Sequence, residues 1–339
     1  MTKRVAFVDI DGCLVIGGKL NHALVEQLKS YDEVILFTQR SKFLQIGQIT
    51  RAYLLSEDVK EDTIVNTPDA VDALSQAIKK PVKVSTSVDQ YFGAPTEYYE
   101  TSLKVFEQDL KEEAQKKDPD LKAFNKRVTE EAGTIKKHLN ITDERASPET
   151  YYPQGKVEQC QGIMVHLPRL LGTEEDVTVD FFDDSKRNHT EIIDSDDKDL
   201  PKKPNCMVVS GSYICPIAKF HEQYGKDADP RDPKIHDQLQ KDPIAKLSQY
   251  IADREQERST SKSEFKSKWA EFFRPDVLSA TTKISAAKKA IRILQGEENV
   301  QMTENELKAL QQGRSKEIIG DALDTIKESQ EDNIWRYVK

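Results

Sequence analysis

The stretch Arg4–Leu14, RVAFVDIDGCL, constrains the fold more than any other part of this chain. Residues 4–8 are mostly apolar and β-branched or aromatic, which is the composition of a strand. Two carboxylates follow at Asp9 and Asp11, and Gly12 comes where the chain has to turn. Strand side chains repeat every two residues, so an Asp-x-Asp pair at a strand end can aim both carboxylates at one place. Like charges that close resist joint ionisation. The pair is therefore either solvated, a common fate in a chain with 59 acidic residues, or gathered around something positive.

The rest of the first two thirds repeats the pattern of strand, then helix. Glu33–Phe37, EVILF, is a continuous apolar run of the kind found in parallel strands covered on both faces, and it ends at Thr38 and Gln39. Val177–Phe182 is a strand that runs into Asp183, Asp184 and Ser185. Pro81–Ser85 reads as an edge strand and Asn205–Ser210 as the last strand, with strands stopping from about Gly211. Gly17-Gly18 marks a hairpin, and Asn21 caps a helix to about Ser30. Further helices are expected at 42–56, 69–79 and 155–171. Strands alternating with helices predict an α/β fold with a Rossmann-like parallel sheet. Chemistry in such sheets collects at the carboxyl ends of the strands. Asp9, Thr38 and Asp183-Asp184 all stand there, on three different strands.

Two segments break the pattern. Residues 96–140 carry two apolar stripes, Tyr99, Leu103, Phe106 and Leu110, then Leu121, Phe124, Val128, Ile135 and Leu139, separated by Asp118-Pro119-Asp120. They predict an inserted helical hairpin. Residues 226–243, with Pro230, Pro233 and Pro243 among charges, read as a linker, and 244–339 as an all-α C-terminal module. Within that module Thr303 and Glu306 form a capping-box pattern at the head of a helix to Ser329. The expected division is thus a core at 1–225, a linker, and a helical module.

Composition sets the remaining bounds. Apolar residues make up 37% and charged ones 32%, and no run approaches the roughly 20 apolar residues of a membrane span. The first residues lack a signal-peptide pattern. The net charge of −9 argues against nucleic acid as a partner. Cys13, Cys160, Cys206 and Cys215 show no metal-ligand spacing and suit a soluble protein of a reducing cytosol. The six histidines also lack ligand spacing and are expected at the surface or at helix caps.

The strand-end residues suggest a chemistry. A carboxylate can attack phosphorus and form an acyl phosphate. A second carboxyl can protonate the leaving oxygen and later deprotonate water. A hydroxyl and an ammonium can hold phosphoryl oxygens as charge gathers there. Several carboxylates facing a phosphate demand a hard cation, for which Mg²⁺ is the natural choice. The assignments are Asp9 as nucleophile, Asp11 as general acid and base, and Thr38 for phosphoryl binding with Gln39 beside it. Lys156 is the cation, and Asp183 and Asp184 hold the metal, with their order left open.

This order resembles the haloacid dehalogenase (HAD) superfamily over about residues 1–225. DIDGC at Asp9–Cys13 looks like its first motif, FTQ at Phe37–Gln39 its second, Lys156 its third, and FFDDS at Phe181–Ser185 its fourth. The resemblance implies a phosphatase rather than a dehalogenase, since Asp11 is present. It also implies a metal held by the Asp9 carboxylate, the Asp11 backbone carbonyl and Asp184, with Asp183 in support and orienting Lys156. Only 26 residues separate Asp11 from Thr38, too few for a cap domain there. The hairpin takes the family's other insertion point, either as a small helical lid or as a structural arm unrelated to catalysis, and a small lid or none leaves a broad entrance. That favours a bulky substrate such as a phosphorylated protein side chain over a small sugar or nucleotide phosphate. A catalytically silent phosphoprotein-binding scaffold is the competing class.

A second resemblance concerns the helical tail. A HAD core joined to such a tail is similar to secreted effector phosphatases of intracellular bacterial pathogens. It implies phosphotyrosine as the substrate, secretion into a host cell and peripheral attachment to phosphoinositide membranes. Lys283, Lys288, Lys289, Arg292, Arg314 and Lys316, with Trp335, are the candidates for an anionic lipid headgroup.

Overall fold

The computed structural model describes residues 3–38, 63–64, 67–86, 155–164, 167, 171, 177–198, 200–259 and 278–337. The expected helix at 42–56, the hairpin at 96–140 and Gln39 lie outside them.

A six-stranded sheet forms the centre of the fold. Its strands are β1 (Lys3–Val8), β4 (Glu33–Thr38), β5 (Lys83–Thr86), β6 (Val177–Asp183), β7 (Asn205–Ser210) and β8 (Tyr213–Pro216), in the order β5-β4-β1-β6-β7-β8. β1 pairs in parallel with β4, Val8 opposite Leu36, and with β6, Val8 opposite Phe182. β2 (Val15–Ile16) and β3 (Lys19–Leu20) form a separate antiparallel hairpin just after the first strand. Eleven helices accompany the strands among the described residues: α1 (His22–Leu28), α2 (Thr67–Ile78), α3 (Gly155–Met164), α4 (Lys186–Ile193), α5 (Ile217–Tyr224), α6 (Pro233–Lys241), α7 (Pro243–Ser259), α8 (Ala280–Leu294), α9 (Glu304–Leu310), α10 (Gly313–Ile319) and α11 (Ala322–Tyr337). The architecture is α/β with a mostly parallel sheet, compatible with a Rossmann-like fold. From β1 the chain builds outward through β4 and β5, then returns to β1's other side to build β6, β7 and β8. β1 is therefore the point where the strand order reverses, where open α/β sheets bind ligands.

β1 and β4 are buried on both faces, which is why they read as unbroken apolar runs: Val5, Ala6, Phe7 and Val8, and Val34, Ile35, Leu36 and Phe37, are all core. Phe7 and Phe37 stack with ring centres 4.8 Å apart.

The chain divides into two compact units. The first comprises Met1–Leu20, Tyr31–Phe182 and Arg187–Asn205; the second comprises Asn21–Ser30, Asp183–Lys186 and Cys206–Lys339. The boundary falls inside β6, whose last residue Asp183 is counted with the second unit. The second unit has its own apolar core of Tyr213, Phe220, Leu247, Tyr250, Ile284, Ala287, Leu310 and Ile326 with their neighbours. Within it, α1 and α8 both pack on α7.

Several expectations need correction. Strands do not stop at Gly211: β8 pairs antiparallel with β7, Ser210 opposite Tyr213. The segment expected as a linker contains α6, capped by Asp232, whose side chain accepts the N–H groups of Lys234 and Ile235. The helix expected from Thr303 to Ser329 is three helices, broken around Gly313 and Gly320. His189 is not at the surface; it is buried edge-on to Phe181, ring centres 5.6 Å apart. The capping box of Thr303 and Glu306 is present with both of its hydrogen bonds.

Candidate functional site

Asp9 directly follows β1, its N–H bonded at 2.9 Å to the Phe182 carbonyl of β6. The chain then turns: Gly12 has φ +72°, a conformation glycine adopts without cost, and its N–H returns to the Val15 carbonyl. Asp11 sits in this turn, half-buried and bridged to Val15. Thr38 closes β4 and is buried. Asp183 closes β6 and Asp184 follows it. β4, β1 and β6 are neighbours and parallel, so their carboxyl ends lie along one edge of the sheet.

α3 delivers the cation. Gly155 starts it at φ +88°, and the Lys156 N–H donates to Glu191 Oε2 at 3.3 Å. Lys156 is 1% exposed. Its Nζ donates to Asp9 Oδ1 at 2.8 Å and to the Phe37 carbonyl at 2.6 Å. The Phe37 and Phe181 rings lie 5.2 and 5.8 Å from it, close enough for cation–π attraction. A buried ammonium needs such compensation, because desolvating an unpaired charge is costly.

Gln159, one turn along α3, is a residue that sequence reasoning missed. Its Nε2 donates to the carbonyls of Thr38 at 3.0 Å and Ser85 at 2.9 Å, pinning the ends of β4 and β5 to the helix. The i, i+3 spacing from Lys156 was the available signal, since it puts both on one helix face.

One oxygen each from Asp9, Asp183 and Asp184 lies within 4.8 Å of the others. Asp183 is fully buried and accepts the Ser185 N–H at 2.8 Å. Asp184 is gripped by Arg231, Nε to Oδ2 at 2.9 Å and Nη2 to Oδ1 at 2.6 Å. Arg231 was also missed; it lies in the segment expected as a linker. Three carboxylates against two cations leave an excess negative charge among these side chains. The donor set is all oxygen, partly or wholly buried and compact, and could hold a metal ion.

The structure thus brings Asp9, Lys156, Asp183 and Asp184 together, and places Thr38 and Asp11 on the ends of the elements that carry them. Of the basic residues proposed for a lipid headgroup, three are engaged by acids: Lys288 with Glu255 at 3.8 Å, Lys289 with Glu306 at 2.7 Å, and Arg292 with Glu297. Among the described residues no helix is long and apolar enough to cross a membrane. No protein-family model matches the sequence, and no curated protein or solved structure matches it.

Proposed function

We propose that this chain is a Mg²⁺-dependent phosphomonoester phosphatase of HAD type, working through an aspartyl-phosphate on Asp9. One observation carries the reading: Lys156 from α3 meets Asp9 at 2.8 Å, with the Asp183 and Asp184 carboxylates beside it. These residues are widely separated in the chain, and solvated acidic strand ends have no reason to recruit a buried lysine.

Lys156 occupies Oδ1 of Asp9, and the second carboxylate oxygen is the nucleophile. It attacks phosphorus as the ester P–O bond breaks, and Asp11 gives its proton to the leaving oxygen. Asp11, now a carboxylate, takes a proton from water. The water oxygen bonds to phosphorus, the acyl–phosphate bond breaks, and Asp9 returns with release of inorganic phosphate. Lys156 and the Thr38 hydroxyl hold phosphoryl oxygens through both steps. Bound Mg²⁺ would supply charge neutralisation between the carboxylates and the phosphoryl group, held by Asp9, Asp183 and Asp184.

The test is a hydrolysis screen of phosphotyrosine peptides, phosphoserine peptides and sugar phosphates, with Mg²⁺ and with chelator. Mg²⁺-dependent turnover of phosphotyrosine peptides is the expected result. Faster turnover of sugar phosphates would move the substrate to small metabolites. No turnover of any ester at any Mg²⁺ concentration would reject the enzyme.

A further inference from the structure

We propose that Arg231 is a built-in competitor for the divalent ion at Asp184, a positioning residue that sets how tightly the carboxylate cluster holds its metal. The inference rests on the metal-dependent reading above.

The guanidinium engages both oxygens of Asp184 in a fork, at 2.9 and 2.6 Å. It therefore uses the atoms through which the carboxylate would hold an ion, and it brings a positive charge to them. Asp183 is oriented differently, by the neutral N–H of Ser185. The Arg231 side chain is 52% exposed against 13% for Asp184, so the arginine can withdraw into solvent when an ion arrives. Its backbone is fixed independently of the contact. The Arg231 N–H donates to Asp229 Oδ1 at 2.9 Å, and the next residue, Asp232, caps α6. Changing the side chain should therefore leave the loop in place.

Two effects of removing the guanidinium oppose each other. Loss of the order it imposes on a short aspartate side chain weakens ion binding about twofold. Loss of a unit charge some 6 Å from a divalent ion strengthens binding about tenfold at low ionic strength, even with the dielectric of water. The charge effect wins, so the variant binds the ion more tightly.

Calorimetric titration of Mg²⁺ into the full chain tests this, with wild type, Arg231→Gln, Arg231→Lys and Asp184→Asn compared. Arg231→Gln is expected to bind Mg²⁺ several-fold to tenfold more tightly than wild type, with the gap narrowing as salt is raised. Arg231→Lys, which keeps the charge, is expected to stay close to wild type. Equal or weaker binding by Arg231→Gln, while wild type binds and Asp184→Asn does not, overturns the role of Arg231 alone. Absence of Mg²⁺ binding by every folded variant, wild type included, overturns the metal reading and this inference with it.

Discussion

Lys156 Nζ and Asp9 Oδ1 stand 2.8 Å apart, with the lysine only 1% exposed. This is a buried ion pair, and breaking one side of such a pair strands the other charge. Asp9→Asn is expected to abolish turnover and to lower stability by about 3–5 kcal/mol. The double variant Asp9→Asn, Lys156→Met removes both charges and is expected to be more stable than Asp9→Asn alone. Urea unfolding of wild type, Asp9→Asn, Lys156→Met and the double variant measures this coupling. Additive losses would show that the pair is energetically idle.

Gln159 tests the positioning of β4, the strand that carries Thr38. Gln159→Leu keeps the volume but takes the donor from the Thr38 and Ser85 carbonyls. Loss of a buried donor to two acceptors costs about 1–3 kcal/mol. Because Thr38 belongs to the proposed site, turnover is expected to fall more than stability alone explains at temperatures where the variant stays folded. An unchanged kcat at full folding would separate Gln159 from the site.

Glu306 gives a pH prediction. Burial alone would raise its carboxyl, but hydrogen bonds from Lys289, Ser285 and Thr303 outweigh burial and hold it near 2, below the ordinary 4.5. Lys289 Nζ lies at 2.7 Å and Ser285 Oγ at 2.6 Å. The folded value is depressed, so the contribution is complete above about 4.5 and is lost as pH falls from there towards about 2. A shift of this size corresponds to an upper bound of about 3 kcal/mol. Glu306→Gln is expected to flatten the loss of stability between pH 4.5 and 2, followed by thermal unfolding across that range. A variant with the wild-type acid profile would contradict the assignment.

What could be read from the sequence was what is local. β1 and β4 declared themselves because both faces are covered, which forces an unbroken apolar run ending at the first tolerated polar residue. The Asn21 cap and the Thr303–Glu306 box are contacts over three residues, so their spacing was enough. α6 is hidden in the sequence because Pro230, Pro233 and Pro243 among charges have the look of breakers. Pro233 in fact follows the capping Asp232 at the first helical position, where proline's fixed φ fits and its missing N–H costs nothing. β8 has four residues and, among the described residues, pairs with β7 alone, so it carries little periodicity of its own. The grip of Arg231 on Asp184 joins residues 47 apart, and no spacing rule encodes a pair that only the fold creates.

The proposed mechanism places the phosphoryl group on Asp9. The most direct measurement is mass spectrometry of the peptide containing residue 9, after rapid acid quench of the protein turning over an aryl phosphate with Mg²⁺. A phosphoryl adduct on Asp9 is expected, absent from Asp9→Asn and accumulating when Asp11→Asn slows its hydrolysis. Turnover by wild type with the adduct on any other residue, or persistent turnover by Asp9→Asn, would contradict it.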